Sequence, residues 1–134
     1  MGRREAREQA FIILFGLIFT KETPETQMML FTEEENMPVD DYAKKLIVGV
    51  CDKEPLLDRE IAANSKNWSK ERMSKVSLTL LRIALYEMTY IDDVPDSVAI
   101  NEAVELAKNF GSDDDAPFVN GILGSISRAN EAVK

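Results

Sequence analysis

Apolar residues recur with the helical period along the whole chain, and no alternating strand pattern persists. The pattern predicts seven helices, at about residues 3–19, 24–34, 38–51, 54–64, 69 or 74 to 91, 97–110, and from just after 112–115 to 132. Thr23-Pro24 offers an N-cap followed by proline at the first helical position, and Gly111 is a standard helix stop. Because the connections are short, we expect one compact all-α domain over residues 1–134.

The most apolar stretch, Ala10–Phe19, lies in the first predicted helix. It has ten residues, whereas a bilayer-spanning helix needs roughly 20. A signal peptide is disfavoured because Glu5 and Glu8 interrupt the basic start and no small-residue cleavage site follows. We therefore expect a buried helix in a cytoplasmic protein without membrane contact, with Cys51 reduced.

The composition disfavours most enzyme classes. The 134 residues include no histidine, one cysteine and six dispersed glycines. Such a chain has no histidine base, no histidine-ligated metal, no disulfide framework and no glycine-rich nucleotide cradle. The acids at 113–115 lack the spacing of a calcium loop and are more simply interpreted as helix-capping residues. We expect a protein without catalytic activity, cofactor or metal.

Charge is unevenly distributed along the chain. The net charge is −8, which argues against non-specific nucleic-acid binding by the whole surface. Residues 22–43 hold seven acids and no base, whereas residues 64–82 hold five bases and one acid. Near the N-terminus, Arg3, Arg4 and Arg7 share one face of the first helix. Arginines beside the amides of a helix start can bind phosphate, but a mobile basic tail is an open alternative.

Several segments together carry a family resemblance. They are LRIALYE at 81–87, VP at 94–95, VAINEAVELAK at 98–108, FG at 110–111, FVNG at 118–121 and the arginines at 3, 4 and 7. In this order they resemble the NusB family of transcription antitermination factors. Trp68 and Arg72 also fall where that family has them. The resemblance extends over the whole chain.

The resemblance implies a fold of about seven helices in two packed helical subdomains, a location in the bacterial cytoplasm and no catalysis. It implies binding to the boxA element of nascent rRNA leader transcripts. The implied partner is NusE, a small-subunit ribosomal protein, and the heterodimer would join the antitermination complex on RNA polymerase. Some family members are instead homodimers that hide the RNA-binding face.

The resemblance also assigns RNA-binding residues. Arg3, Arg4 and Arg7 match the family's arginine motif, which is expected to contact RNA phosphates and bases. Phe118 matches an aromatic residue at the RNA face, where stacking on an unpaired base is physically sensible. Asp114 matches an acid near that face, and its carboxylate could accept from a base amino group while repelling phosphate.

Partner binding is expected at Glu71 and at Ser77. The family usually has an acid at Ser77, and this acid contributes to the NusE contact. Pro117 stands where a lysine is common, which removes one expected RNA contact. These departures and the acidic balance leave an alternative open: a homodimeric or scaffold protein with weak intrinsic RNA affinity.

Overall fold

The computed structural model describes residues 2–66 and 73–132, and these residues form six helices without a strand. The helices are α1 (Arg3–Ile18), α2 (Pro24–Glu35), α3 (Asp41–Ala63), α4 (Lys75–Tyr90), α5 (Asp96–Phe110) and α6 (Asp115–Ala132). The all-α prediction is confirmed. Within the described ranges, no helix combines the length and the apolarity that crossing a membrane requires.

The ends of α2 follow from local sequence. The Thr23 side chain accepts a hydrogen bond from the backbone N–H of Thr26, and Pro24 occupies the first turn. Proline is compatible with this position because the first amides of a helix have no intrahelical acceptor. The helix ends where Asn36 adopts the left-handed conformation with φ of 52°, which asparagine tolerates better than most residues.

The structure does not show the predicted break between the helices at 38–51 and 54–64. The two segments form the single helix α3, with Pro55 inside it. Buried apolar positions continue at helical spacing on both sides of the proline, at Ala43, Leu46, Ile47, Val50, Leu57 and Ile61. Burial along this stripe offsets the backbone hydrogen bond that proline cannot donate.

The chain divides into two compact units, residues 1–52 and 53–134, and the division falls within α3. In the first unit, α1 packs against α2. The Gln9 side chain links α1 to the start of α3. Its Oε1 accepts from the N–H of Asp40 at 2.8 Å, and its Nε2 donates to the Pro38 carbonyl at 3.4 Å. That residues 1–134 behave as one domain stays a prediction.

In the second unit, α4 is the central helix and packs against both α5 and α6. Ten of its residues are buried, including Leu80, Leu81 and Leu85, which are fully covered. Ser127 on α6 donates to the Asp96 carboxylate at the start of α5 at 2.8 Å. Because α4 is covered on nearly all sides, it fixes the positions of α5 and α6. The start of α6 carries the predicted site residues Asp114 and Phe118.

Candidate nucleic-acid interface

The arginine motif lies in the first two turns of α1, in the first unit. Arg3 and Arg4 are exposed, so a large anion could reach both side chains. Arg7 is only 4% exposed. The Arg3 guanidinium lies 4.4 Å from the centre of the Tyr42 ring, and that of Arg7 lies 5.9 Å from it. One aromatic ring therefore contacts two of the three arginines.

This arrangement suits a polyanion with unpaired bases. At the start of α1, the first backbone N–H groups and the positive end of the helix dipole lie beside the side chains of Arg3 and Arg4. All of these groups favour a bound anion. Gly2, the N-cap, supplies no side-chain hydrogen bond to those amides. A guanidinium lying over an aromatic ring keeps a fixed plane, which can donate to phosphate and stack on a base. The low exposure of Arg7 favours a supporting role beneath this surface.

Tyr42, in the first turn of α3, was predicted as part of the apolar face of that helix and not as a site residue. It lies 39 positions after Arg3 in the chain, and no spacing rule connects residues so far apart. The signal available in the sequence was an aromatic residue at the polar start of a predicted helix, directly after Asp40 and Asp41. The structure shows that this residue is half-buried.

The second pair of predicted RNA-binding residues lies at the start of α6, in the second unit. Asp114 is exposed, Phe118 is half-buried, and the N–H of Phe118 donates to the Asp114 carbonyl at 3.2 Å. Residues four apart on a helix share a face. The structure thus brings an exposed carboxylate and an aromatic ring together at one helix start.

An open cleft of about 540 Å³ lies between the end of α5 and this helix start. Lys108 and Asn120 line it together with Pro117. The Lys108 ammonium is largely exposed and lies 3.4 Å from a Glu105 carboxylate oxygen. The cleft at this helix start therefore offers polar donors from residues close in the chain to Phe118.

A buried carboxylate lies directly behind Asp114. Asp115 is 6% exposed, and its Oδ1 accepts from the hydroxyls of Ser74 and Ser77 at 2.5 Å each. Its Oδ2 accepts from the backbone N–H of Ser112 at 2.8 Å and from the Ser112 hydroxyl at 3.2 Å. The reach back to the Ser112 N–H resembles one half of a capping box. The sequence indicated capping acids here but not the link to α4.

Of the two positions predicted for partner binding, the structure describes Ser77 and not Glu71. Ser77 is 1% exposed and its hydroxyl donates to Asp115. A direct contact between this side chain and a partner is therefore blocked, and any effect of Ser77 must act through Asp115. Glu71 lies outside the described residues, as do Trp68 and Arg72. The partner-binding role of Glu71 stays a prediction.

We expect Asp115 to make stability depend on acid. Burial raises the pKa of its carboxyl, but hydrogen bonds from Ser74, Ser77 and Ser112 outweigh that effect and hold the pKa below its usual value. Because the pKa is lower in the folded than in the unfolded state, ionised Asp115 stabilises the fold above the unfolded pKa of about 3.9. This contribution is lost as pH falls through the folded-state pKa.

The measurement is urea denaturation of the wild type and of Asp115→Asn at a series of pH values. The free energy of unfolding should fall less steeply for the variant between about pH 5 and pH 3, because its side chain does not titrate. Parallel pH profiles for the two proteins would contradict the stabilising role of the carboxylate.

A profile of the NusB family matches residues 4–128, which is nearly the whole chain. The chain belongs to the NusB family. The transcription antitermination protein NusB of Ruminiclostridium cellulolyticum is 41% identical, over 97% of this chain and 91% of the relative. The match to the NusB family includes both helix starts described above, except for the first of the three arginines.

Solved NusB structures share the fold. T. maritima NusB superposes with a TM-score of 0.85 at 33% identity, over 96% of this chain and 92% of that one. A crystal structure of the antitermination factors NusB and NusE in complex with double-stranded RNA gives a TM-score of 0.85 at 27% identity, over 95% and 96% of the two chains. The resemblance stated from sequence segments is thus confirmed, both as a family and as a fold.

Proposed function

We propose that this NusB-family chain is a non-catalytic, cytoplasmic RNA-binding factor. It binds boxA-type RNA of nascent rRNA transcripts as a heterodimer with NusE and joins the antitermination complex on RNA polymerase. The observation that carries the proposal is the exposed Arg3–Arg4 pair at the start of α1, with the Arg3 guanidinium over Tyr42. The NusB relatives, and the similar NusB that forms a complex with NusE and RNA, support it.

In this function the two units supply different contacts. Arg3 and Arg4 donate charge-assisted hydrogen bonds to phosphates, which set affinity and its dependence on salt. Phe118 stacks on an unpaired base, which places a base rather than a phosphate beside Asp114. The Asp114 carboxylate can then accept from a base amino group, and it disfavours any register that brings a phosphate to that point.

Charge also favours the proposed protein partner. The chain carries a net charge of −8, with seven acids and no base in residues 22–43. A basic ribosomal protein is electrostatically complementary to such a chain, which speeds encounter. Within this proposal Glu71 contacts NusE, and Ser77 contributes only through its hydrogen bond to Asp115.

The test is fluorescence anisotropy of a labelled boxA-type RNA titrated with the protein, with and without NusE, at two salt concentrations. A scrambled RNA of the same length is the control for sequence. We expect selective binding that NusE strengthens and salt weakens. Phe118→Tyr should bind like the wild type, whereas Phe118→Leu should bind about fivefold or more weakly because it loses stacking worth at least ~1 kcal/mol.

Absence of selective binding even with NusE would overturn the proposal. The mass in solution then decides what replaces it. A stable species of twice 15.1 kDa would favour the homodimeric alternative, whose interface hides the RNA-binding face.

Tyr42 provides a separate test of the arginine surface. Tyr42→Leu should weaken RNA binding by about two- to fivefold, because Arg3 loses a ring contact worth ~0.5–1 kcal/mol at an exposed site. Tyr42→Phe keeps the ring and should bind like the wild type. Anisotropy of the same labelled RNA measures both, and equal affinities for the two variants would show that the ring does not order Arg3.

A further inference from the structure

We infer that Asp115 is a positioning residue for RNA binding: by joining the start of α6 to the start of α4, it holds Asp114 and Phe118 in the geometry that meets the RNA. The inference rests on the proposed function. It assigns a role to a buried residue that does not itself touch the RNA.

The hydrogen bonds on Asp115 join two helix starts. Oδ1 accepts from two hydroxyls of α4, and Oδ2 accepts from two donors of Ser112, in the turn before α6. The Ser74 hydroxyl is also the N-cap of α4, since it accepts from the N–H of Ser77 at 2.9 Å. One carboxylate thus satisfies donors from the starts of two helices, and a shift of α6 would leave several of them unpaired.

The Asp115 carboxylate is also closely packed. A Cβ placed on Gly111 would lie 2.5 Å from Asp115 Oδ2 and 2.9 Å from the Ala107 carbonyl oxygen. The absent side chain of Gly111 leaves the space that the carboxylate fills. The glycine that ends α5 and the carboxylate that begins α6 therefore fit each other, and the turn between them has little room to move.

Asp115 directly follows Asp114 and lies three residues before Phe118 in the chain. Asp114, immediately before it, makes the first backbone hydrogen bond of α6 by accepting from the N–H of Phe118. Helix ends fray unless they are capped or packed. Holding Asp115 against α4 therefore fixes the turn that presents both predicted RNA-binding residues of the second unit.

The hydrogen bond between Ser77 and Asp115 also permits a reciprocal test. The hydroxyl donor lies on α4 and the carboxylate acceptor lies on α6. Exchanging the two residues, as Ser77→Asp with Asp115→Ser, should therefore rebuild the carboxylate–hydroxyl bond in reverse.

The test measures RNA affinity by anisotropy with the full chain and NusE, at a temperature where circular dichroism shows each variant to be folded. Asp115→Asn should bind RNA about tenfold more weakly than the wild type. One oxygen of the carboxylate is replaced by an NH₂ group, which cannot accept the hydrogen bonds that this oxygen accepts from serine donors. Asp113→Asn is the matched control. It makes the same change of charge at an exposed neighbour, and it should bind as tightly as the wild type or more tightly.

Two further variants separate positioning from lost stability. Leu123→Ala removes a fully buried side chain from the same helix, two turns away from its start. It should lower the melting temperature at least as much as Asp115→Asn without weakening RNA binding. The exchange Ser77→Asp with Asp115→Ser should recover affinity to within about threefold of the wild type. If Asp115→Asn does not fold, Ser77→Ala, which removes one of the four donors, should still weaken binding by about twofold.

The outcomes are distinguishable. A wild-type protein that binds RNA, together with an Asp115→Asn variant that binds as tightly as Asp113→Asn, would overturn this inference and leave the proposed function intact. Equal weakening by Asp115→Asn and Leu123→Ala would reduce Asp115 to a structural residue and also overturn it. A wild-type protein that does not bind boxA-type RNA would overturn both.

Discussion

Arg82→Met should lower the free energy of unfolding by about 3 kcal/mol, because it leaves a carboxylate without its main partner in a largely covered site. Arg82 is a buried residue of α4. Its Nε and one terminal nitrogen donate to the two oxygens of Asp58, both at 2.8 Å. Its other terminal nitrogen lies 3.3 Å from a Glu54 carboxylate oxygen. This forked geometry is specific to arginine.

A double-mutant cycle measured by urea denaturation checks this prediction. Asp58→Leu alone should also destabilise the fold, because it leaves the buried guanidinium short of acceptors. The double variant Arg82→Met with Asp58→Leu should lose less than the sum of the two single changes, since it leaves neither charge unpaired. Arg82→Lys should fall in between, as lysine cannot form the fork. Additive losses would show that the pair does not act as a unit.

The sequence predicted those parts of the fold that depend on residues adjacent in the chain. Thr23-Pro24 marks the start of α2, because this cap depends on a few adjacent side chains and backbone angles. Gly111 marks the end of α5, where its extended backbone is open to any residue but the space beside it is filled by the Asp115 carboxylate. Pro55 shows the limit of such local rules. Its missing N–H favours a helix end, but the buried stripe from Val50 to Leu57 continues the helix through it.

The candidate site divides in the same way. The sequence placed Arg3 and Arg4 at the start of the first helix, and the structure shows them exposed there. It could not show that Tyr42 lies beneath Arg3, nor that Asp115 accepts from Ser77, 38 positions earlier in the chain. Contacts of this kind depend on how helices pack, and periodicity within one helix carries no information about them.

The largest expected effect on function belongs to the paired substitution Arg3→Ala with Arg4→Ala. Both side chains are exposed at a helix start, so removing them should leave the fold stable. Each charge-assisted hydrogen bond to phosphate is worth about 1.5–3 kcal/mol. We therefore expect the loss of the pair to weaken binding of boxA-type RNA by about a hundredfold or more.

The salt dependence of binding makes this prediction specific. Each contact with a phosphate of a single strand contributes about 0.7 to the slope of log affinity against log salt concentration. The paired variant should therefore show a slope shallower by about 1.4 than that of the wild type. Lys44→Ala with Lys45→Ala is the matched control, since it removes two exposed positive charges from the same unit. Equal effects of the two paired variants would mean that the RNA responds to net charge alone. A large loss of affinity and slope confined to the arginine pair would identify the start of α1 as the phosphate-binding surface.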